Sequence, residues 1–262
     1  MFPILLQIGP VTIYSLWIFI ALGIFFSLLI VHKLTKLRLV KLAFLSENSL
    51  LIFFSGLIMA RLVFIIYNFQ YFWEVITIEG HYLEPLFIWD KGLSIWGALL
   101  GVFISMFLLT RTAHEDFFAW SDILVVSILF GMTFSDIGAF LDGRNYGNPT
   151  ELPWGVIMEP SQYAIPIHPV QLYAAIYSLL IGLILFHLFQ HRLFKKPGII
   201  ALIGLTAYSF LRFLEEFLRG DEANMIFGLI REAQIWSVLG LSFGGYMLYR
   251  FFRNYYQENS SL

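Results

Sequence analysis

Cysteine is absent from the 262 residues. Disulfides, thiolate metal sites and a cysteine nucleophile are therefore excluded, and a thiol can enter the chemistry only on a substrate. Charge is scarce too: Asp, Glu, Lys and Arg supply 13% of the residues, about half the share found in soluble domains. There is no fixed-period repeat, low-complexity segment or long linker, so one polytopic domain over residues 1–262 is expected, with no nucleic-acid partner. The opening MFPILLQIGP lacks the basic segment of a secretory leader and no small-residue cleavage site follows, so the first span is expected to stay in the protein. What is plentiful is apolar: 59% hydrophobic residues, 28 of them Phe, with a mean hydropathy of +0.77. That composition excludes an ordinary soluble domain and implies an all-α integral membrane protein.

Apolar stretches near the ~20 residues needed to cross a bilayer lie at 11–31, 49–69, 93–110, 121–141, 170–190, 198–218 and 233–252. Seven crossings put the termini on opposite sides. Lys33, Lys36, Arg38, Lys41, Arg111, Arg192, Lys195, Lys196, Arg250 and Arg253 fall on one side, and Lys91, Arg144, Arg219 and Arg231 on the other. The positive-inside rule then places the N-terminus outside and the C-terminus in the cytoplasm. The net charge of −2 carries no such information.

Ionisable side chains break the apolar pattern most sharply at SFLRFLEEFLRGDEA, where Arg212, Glu215, Glu216 and Arg219 share one helical face at about 100° per residue. Charges at the edge of a span are expensive, face an interior or a water-filled cavity, and mark a functional site; two arginines suggest an anionic ligand. Three outer loops are expected, at 70–92, 142–169 and 220–232. The first is acidic and aromatic, suited to an interfacial segment with Trp73, Tyr82 and Trp89 at headgroup level. The second carries Gly143, Gly147, Pro149, Pro153, Gly155, Pro160, Pro166 and Pro169 and cannot be regular helix.

Several fragments, in order, resemble one family over nearly the whole chain: the phosphatidylglycerol–prolipoprotein diacylglyceryl transferases of bacterial inner membranes. IGPVTIYSLW is similar to the family's outer entry to its first helix, and ARLVFIIYNFQYF to its second. IWDKGLSIWGALLGV follows its third-span framework, SDIGAFLDGRNYGNPTELPWGV its longest motif, and IHPVQLY the entry to the next helix. RFLEEFLRGDEA and EAQIWS resemble its last two helices. Arg61, His168, Gln171, Tyr173, Glu216, Arg219, Gln234 and Ser237 match family positions. Trp96 stands where the family carries a histidine regarded as its base, and Ala98 replaces the second glycine of the pair begun by Gly97. Asp136, Ala139 and Arg144 replace an arginine, an asparagine and a glutamate, and Ser15-Leu16 lacks the family's phenol.

The resemblance implies a reaction: the diacylglyceryl group of phosphatidylglycerol passes to the lipobox cysteine of a lipoprotein precursor as a thioether, and glycerol phosphate leaves. No cofactor or metal is implied. Arginines would stabilise the leaving phosphate, which makes Arg219 and Arg144 candidates, with Arg61, Gly97 and Gly147 also at the phospholipid. Trp96 cannot take the thiol proton, which leaves Asp136, Glu216, water or another group to do so. His168, Gln171, Tyr173, Gln234 and Ser237 are supporting residues, His168 as a cap or loop-packing group. Asp136 and Arg144 exchange the family's charges, and a break at Gly138 and Gly143 would let them pair or share a ligand. Three readings stay open: an active transferase, a relative that binds phospholipid without turnover or acts on another acceptor, and a transporter, for which no inverted repeat is visible.

Overall fold

A computed structural model describes residues 2–8, 11–38, 40–78, 80–87, 92–158, 164–194, 196–221, 225–226 and 229–260. Trp89, Lys91, Pro160 and Lys195, named above, lie outside them. The described residues are mostly helical. Close packing divides the chain into two compact units, one of residues 1–38 with 118–262 and one of residues 39–117.

The first unit opens with a hairpin, β1 (Ile4–Ile8) against β2 (Val11–Tyr14). This corrects the first span: residues 11–14 are strand, and the helix α1 begins at Ser15 and runs to Arg38. The β-branched residues of VTIY favour a pleated backbone. The backbone N–H of Ser15 donates to the carbonyl of Pro3 at 2.9 Å and its hydroxyl donates to the carbonyl of Phe2, fixing the corner. The helices α5 (Phe117–Asp142), α6 (Val170–Gln190), α7 (Ile199–Glu215) and α8 (Glu232–Ser260) follow, with a short hairpin β3 (Met225–Ile226) and β4 (Ile230–Arg231) before α8. Trp120, Ile123, Val126, Leu185 and Ile200 are fully buried in its core.

The second unit holds α2 (Leu42–Tyr67), a nine-residue α3 (Phe69–Thr77), a 3₁₀ turn at Glu84–Leu86 and α4 (Ile95–Thr112). Trp73 and Tyr82 of this region are exposed. The side chain of Ser94 caps α4, accepting from the N–H of Gly97 at 3.3 Å.

Five helices, α1, α2, α4, α5 and α6, are long and apolar enough to cross a membrane. Their outward residues, such as Phe25 and Leu28 on α1 and Leu50 and Phe53 on α2, are exposed and apolar, a surface suited to lipid rather than water. The chain is thus a largely α-helical, multi-pass membrane protein. α7 spans 17 residues and stops at Glu215, where the chain enters turns, short of residue 218; α8 spans 29 and ends in the polar run RNYYQENS.

Candidate functional site

The charged face read from the sequence forms at the end of α7 and gathers more partners than helical spacing supplies. Arg212 ion-pairs with Glu215 and Glu216, and Arg219 lies 3.3 Å from Glu215 and 4.0 Å from Glu216. Arg231, brought back by the β3–β4 hairpin, donates through Nε to Glu216 at 2.5 Å and through Nη2 to Asp221 at 2.7 Å. The guanidinium of Arg219 grips the same Asp221 carboxylate through Nε at 3.0 Å and through Nη2. Three arginines therefore face Glu215, Glu216 and Asp221, all largely withdrawn from solvent. Burial pushes the Arg219 guanidinium towards losing its proton, but its bonds to Asp221 and its attraction to Asp221 and Glu215 outweigh this and raise its pKa. Arg219 is a permanent cation.

The loop after α5 is laid against this cluster by backbone pairing. The N–H of Asn148 donates to the carbonyl of Leu218 at 2.8 Å and that of Gly220 to Tyr146 at 3.0 Å, which sets Gly147 opposite Arg219. A Cβ on Gly147 would strike the carbonyl oxygen and the Cβ of His168, and one on Gly220 would lie 2.7 Å from the carbonyl oxygen of Gly147. Glycine is required at this crossing because two backbones touch. The loop is also bridged at Pro149–Ile167 and Val156–Ile167, so a segment expected to be irregular is pinned by short antiparallel contacts.

The supporting residues sit along this loop. His168 Nδ1 is 3.3 Å from the Tyr173 hydroxyl, which accepts from the indole N–H of Trp154 at 2.8 Å. The amide of Gln171 donates to the carbonyl of Arg144 at 2.5 Å. Gln234 accepts from the N–H of Arg231 at 3.2 Å through its side-chain oxygen, and Ser237 is buried one turn further along α8. Arg144 departs from expectation. Its side chain is mostly exposed, and its Nε lies 2.5 Å from Asp142. No Asp136–Arg144 contact forms: α5 runs unbroken through Gly138 to Asp142, which keeps Asp136 a turn and a half below the loop.

Asp136 stays inside. Its Oδ2 is buried with no hydrogen-bond partner among the described residues, and Glu215, Arg212 and Arg219 are near enough to act on it electrostatically. Tyr208 is also near enough to Asp136 to act on it electrostatically, and its ring centroid lies 5.7 Å from that of Tyr177. The Tyr177 hydroxyl donates to Glu215 at 2.6 Å. Asp221, Arg231, Tyr177, Tyr208 and Asp142 were not singled out as site residues from the sequence. Tyr177 meets Glu215 from a distant helix and Arg231 returns across a hairpin, while Asp142 with Arg144 and Asp221 with Arg219 are two residues apart, a spacing that marks no shared helical face. Among the described residues no group of three His, Asp or Glu side chains could hold a metal ion.

Three further candidates belong to the second unit. Arg61 is buried on α2 and donates to the carbonyls of Pro85 at 2.6 Å, Glu84 at 3.1 Å and Gly92 at 3.2 Å, with its guanidinium over the rings of Phe64 and Phe72. That geometry fixes the segment between α3 and α4. Trp96 is half-buried in the first turn of α4. A Cβ on Gly97 would lie 2.8 Å from Cα of Ala60, so this glycine lets α4 pack on α2.

The site thus combines paired guanidiniums at the end of α7, a carboxylate with one buried oxygen that has no hydrogen-bond partner among the described residues, and a loop clamped over them. Such an arrangement suits an anionic headgroup and a proton transfer next to it. The family model for prolipoprotein diacylglyceryl transferase matches residues 3–250. The phosphatidylglycerol–prolipoprotein diacylglyceryl transferase of Thermosynechococcus vestitus is 27% identical over 258 residues, covering 96% of this chain and 92% of its own length. That of Clostridium tetani is 30% identical over 224 residues, covering 84% and 86%, and that of Acaryochloris marina is 27% identical over 92% and 88%. A match of this extent, on a helical membrane scaffold with this charged site, makes the chain a member of the prolipoprotein diacylglyceryl transferase family.

Proposed function

We propose that this chain transfers the diacylglyceryl group of phosphatidylglycerol to the cysteine thiol of a prolipoprotein, in lipoprotein biosynthesis. The family match over nearly the whole chain carries this reading. In the reaction the thiolate sulfur attacks the glyceryl carbon, the carbon–oxygen bond to phosphate breaks, and glycerol phosphate departs with the electron pair. The carbon is unactivated, so the barrier falls with stabilisation of the developing phosphate charge, for which arginine forks are best suited. Arg219 is assigned that task. Arg144, at the exposed mouth, is assigned to the approaching headgroup, and Gly147 gives the loop its close approach.

The thiol proton must leave, since the thiolate is the nucleophile. Trp96 has no basic atom, and Glu216 is engaged by Arg212 and Arg231. We infer that Asp136, with a free buried oxygen, accepts the proton, and that Glu216 positions the arginines. Arg61 and Gly97 hold the second unit together, Arg61 by bonding the carbonyls of Glu84, Pro85 and Gly92 and Gly97 by letting α4 pack on α2. The chain is placed in the bacterial cytoplasmic membrane with seven crossings, α7 and α8 being the last two, the N-terminus outside and the charged cluster on the outer side.

A second reading, phospholipid binding without transfer, is favoured by Trp96 at the position where the family carries its histidine. One assay separates the two: purified protein with phosphatidylglycerol and a synthetic lipobox peptide, following the peptide's mass gain and glycerol phosphate release together. Both signals, dependent on the peptide cysteine, are expected. Neither signal, with phosphatidylglycerol still co-purifying, overturns transfer and leaves binding.

A further inference from the structure

Asp221 occupies the place of an anion. Its carboxylate is held by the fork of Arg219 and, on Oδ1, by Nη2 of Arg231 at 2.7 Å; Nη1 of Arg231 also reaches the Asp221 carbonyl at 3.2 Å. Two planar guanidiniums converging on one pair of oxygens form the arrangement that also fits two oxygens of a phosphate. Arg212 and the two glutamates do not need Asp221: Arg212 pairs with Glu215 and Glu216, and Arg231 reaches Glu216 independently. Within the ion-paired cluster Arg212, Arg219 and Arg231 face Glu215, Glu216 and Asp221, three charges against three, with Asp136 near enough to Arg212 and Arg219 to add to the negative side when ionised.

From this the geometry points to Arg231 as a second phosphate-binding residue, and to Asp221 as an internal occupant of the Arg219–Arg231 site that a phosphate group displaces. The inference rests on the phospholipid reading above and adds to it a residue and a means of regulation. Exchanging a carboxylate for a phosphodiester monoanion leaves the local charge unchanged, so no arginine is left buried without a counter-ion. Asp221 lies beyond the end of α7 and its side chain keeps a fraction of its surface exposed, 13%. Glu216 keeps only 1% exposed, so of the two carboxylates Asp221 is the one nearer to water. While Asp221 is bound, the empty site presents no unpaired guanidinium to other anions. The apparent affinity for phosphate is then reduced by the fraction of time Asp221 fills the site.

The test is chemical protection of arginine. Full-length protein is treated with phenylglyoxal in detergent with rising inorganic phosphate, and in nanodiscs of phosphatidylglycerol or of phosphatidylcholine, with modification of Arg231 and Arg219 read by mass spectrometry. Phosphatidylglycerol is expected to protect Arg231 where phosphatidylcholine does not. Protection by inorganic phosphate as well identifies a general phosphate site, and its absence identifies one restricted to a lipid headgroup; both support the inference. Asp221→Asn is expected to lower the anion concentration for half-protection by about tenfold. Arg231 reactivity indifferent to every anion in the unmodified protein, or half-protection unchanged in Asp221→Asn, overturns it. The wild-type arm holds even if the variant does not fold. Protection without peptide lipidation sinks the transferase reading alone, and lipidation with Arg231 indifferent to anions sinks this inference alone.

Discussion

Nε of Arg144 lies 2.5 Å from Oδ2 of Asp142, the last residue of α5. The loop guanidinium is thus neutralised at its own base, and the carboxylate of Asp136, further down the helix, keeps one oxygen with no hydrogen-bond partner among the described residues. One carboxylate of α5 is thus spent in an ion pair, while another keeps an oxygen without a hydrogen bond.

Asp136→Asn removes the proton acceptor without changing size. Transfer to the lipobox peptide is expected to fall by about 10²–10⁴-fold, the usual worth of a positioned acid or base. Because Oδ2 has no partner to lose, the melting temperature in detergent should hold or rise. Full activity in the variant would remove Asp136 from the mechanism.

Arg219→Ala should reduce transfer by about 10²–10³-fold, the cost of losing one oxyanion-stabilising donor. It also leaves Asp221 and Glu215 short of a partner, so a loss of roughly 3–5 kcal/mol is expected if the pair behaves as a buried one. Arg219→Lys keeps the charge but not the fork and should recover stability more than activity. Activity per folded molecule, measured against a thermal melt, separates the two effects.

Gly147→Ala places a methyl against the His168 carbonyl and 3.0 Å from the Leu218 carbonyl oxygen. Backbone must move, at a cost of about 1–3 kcal/mol, and the Asn148–Leu218 bond should loosen. Hydrogen exchange at Asn148 and Gly220 would register the change. Unaltered exchange would mean the crossing is not tight in the membrane.

Asp122 carries no part in the chemistry and predicts a stability effect only. Its fully buried carboxylate accepts from the N–H groups of Gly198 at 2.9 Å and Ala201 at 2.8 Å, and lies 3.4 Å from Arg38. It caps α7 and balances the end of α1. Asp122→Ala should cost about 3–5 kcal/mol by leaving buried donors and a cation unpaired. Transfer per folded molecule should be unchanged; a selective loss of activity would contradict this.

Much of the scaffold is legible in the linear chain because its signals are local. Runs such as VQLYAAIYSLLIGLILFHLFQ read as helix and span from apolar length alone, and α6 falls on the expected 170–190. The face of Arg212, Glu215, Glu216 and Arg219 follows from helical spacing, and their ion pairs form as that spacing implies. The hairpin at residues 4–14 escaped a reading by hydropathy because an apolar strand and an apolar helix end look alike in that measure. Asp136 with Arg144 failed for a different reason: glycines permit a break but do not compel one, and an intact α5 sent Arg144 to Asp142.

Composition and local spacing were enough to set the class of protein, the excess of apolar surface that demands a bilayer, the absence of any thiol of its own and the charged face around Arg212, since each depends on residue content or on neighbours within a few residues. Tertiary structure alone decided that Arg231 returns across a hairpin to Glu216 and Asp221, that Gly147 lies on the backbone of residues 218–220, and that Asp136 keeps an oxygen free. These depend on which backbone groups pair across tens of residues, and that pairing is chosen by the whole fold's need to satisfy buried polar groups, not by any local pattern.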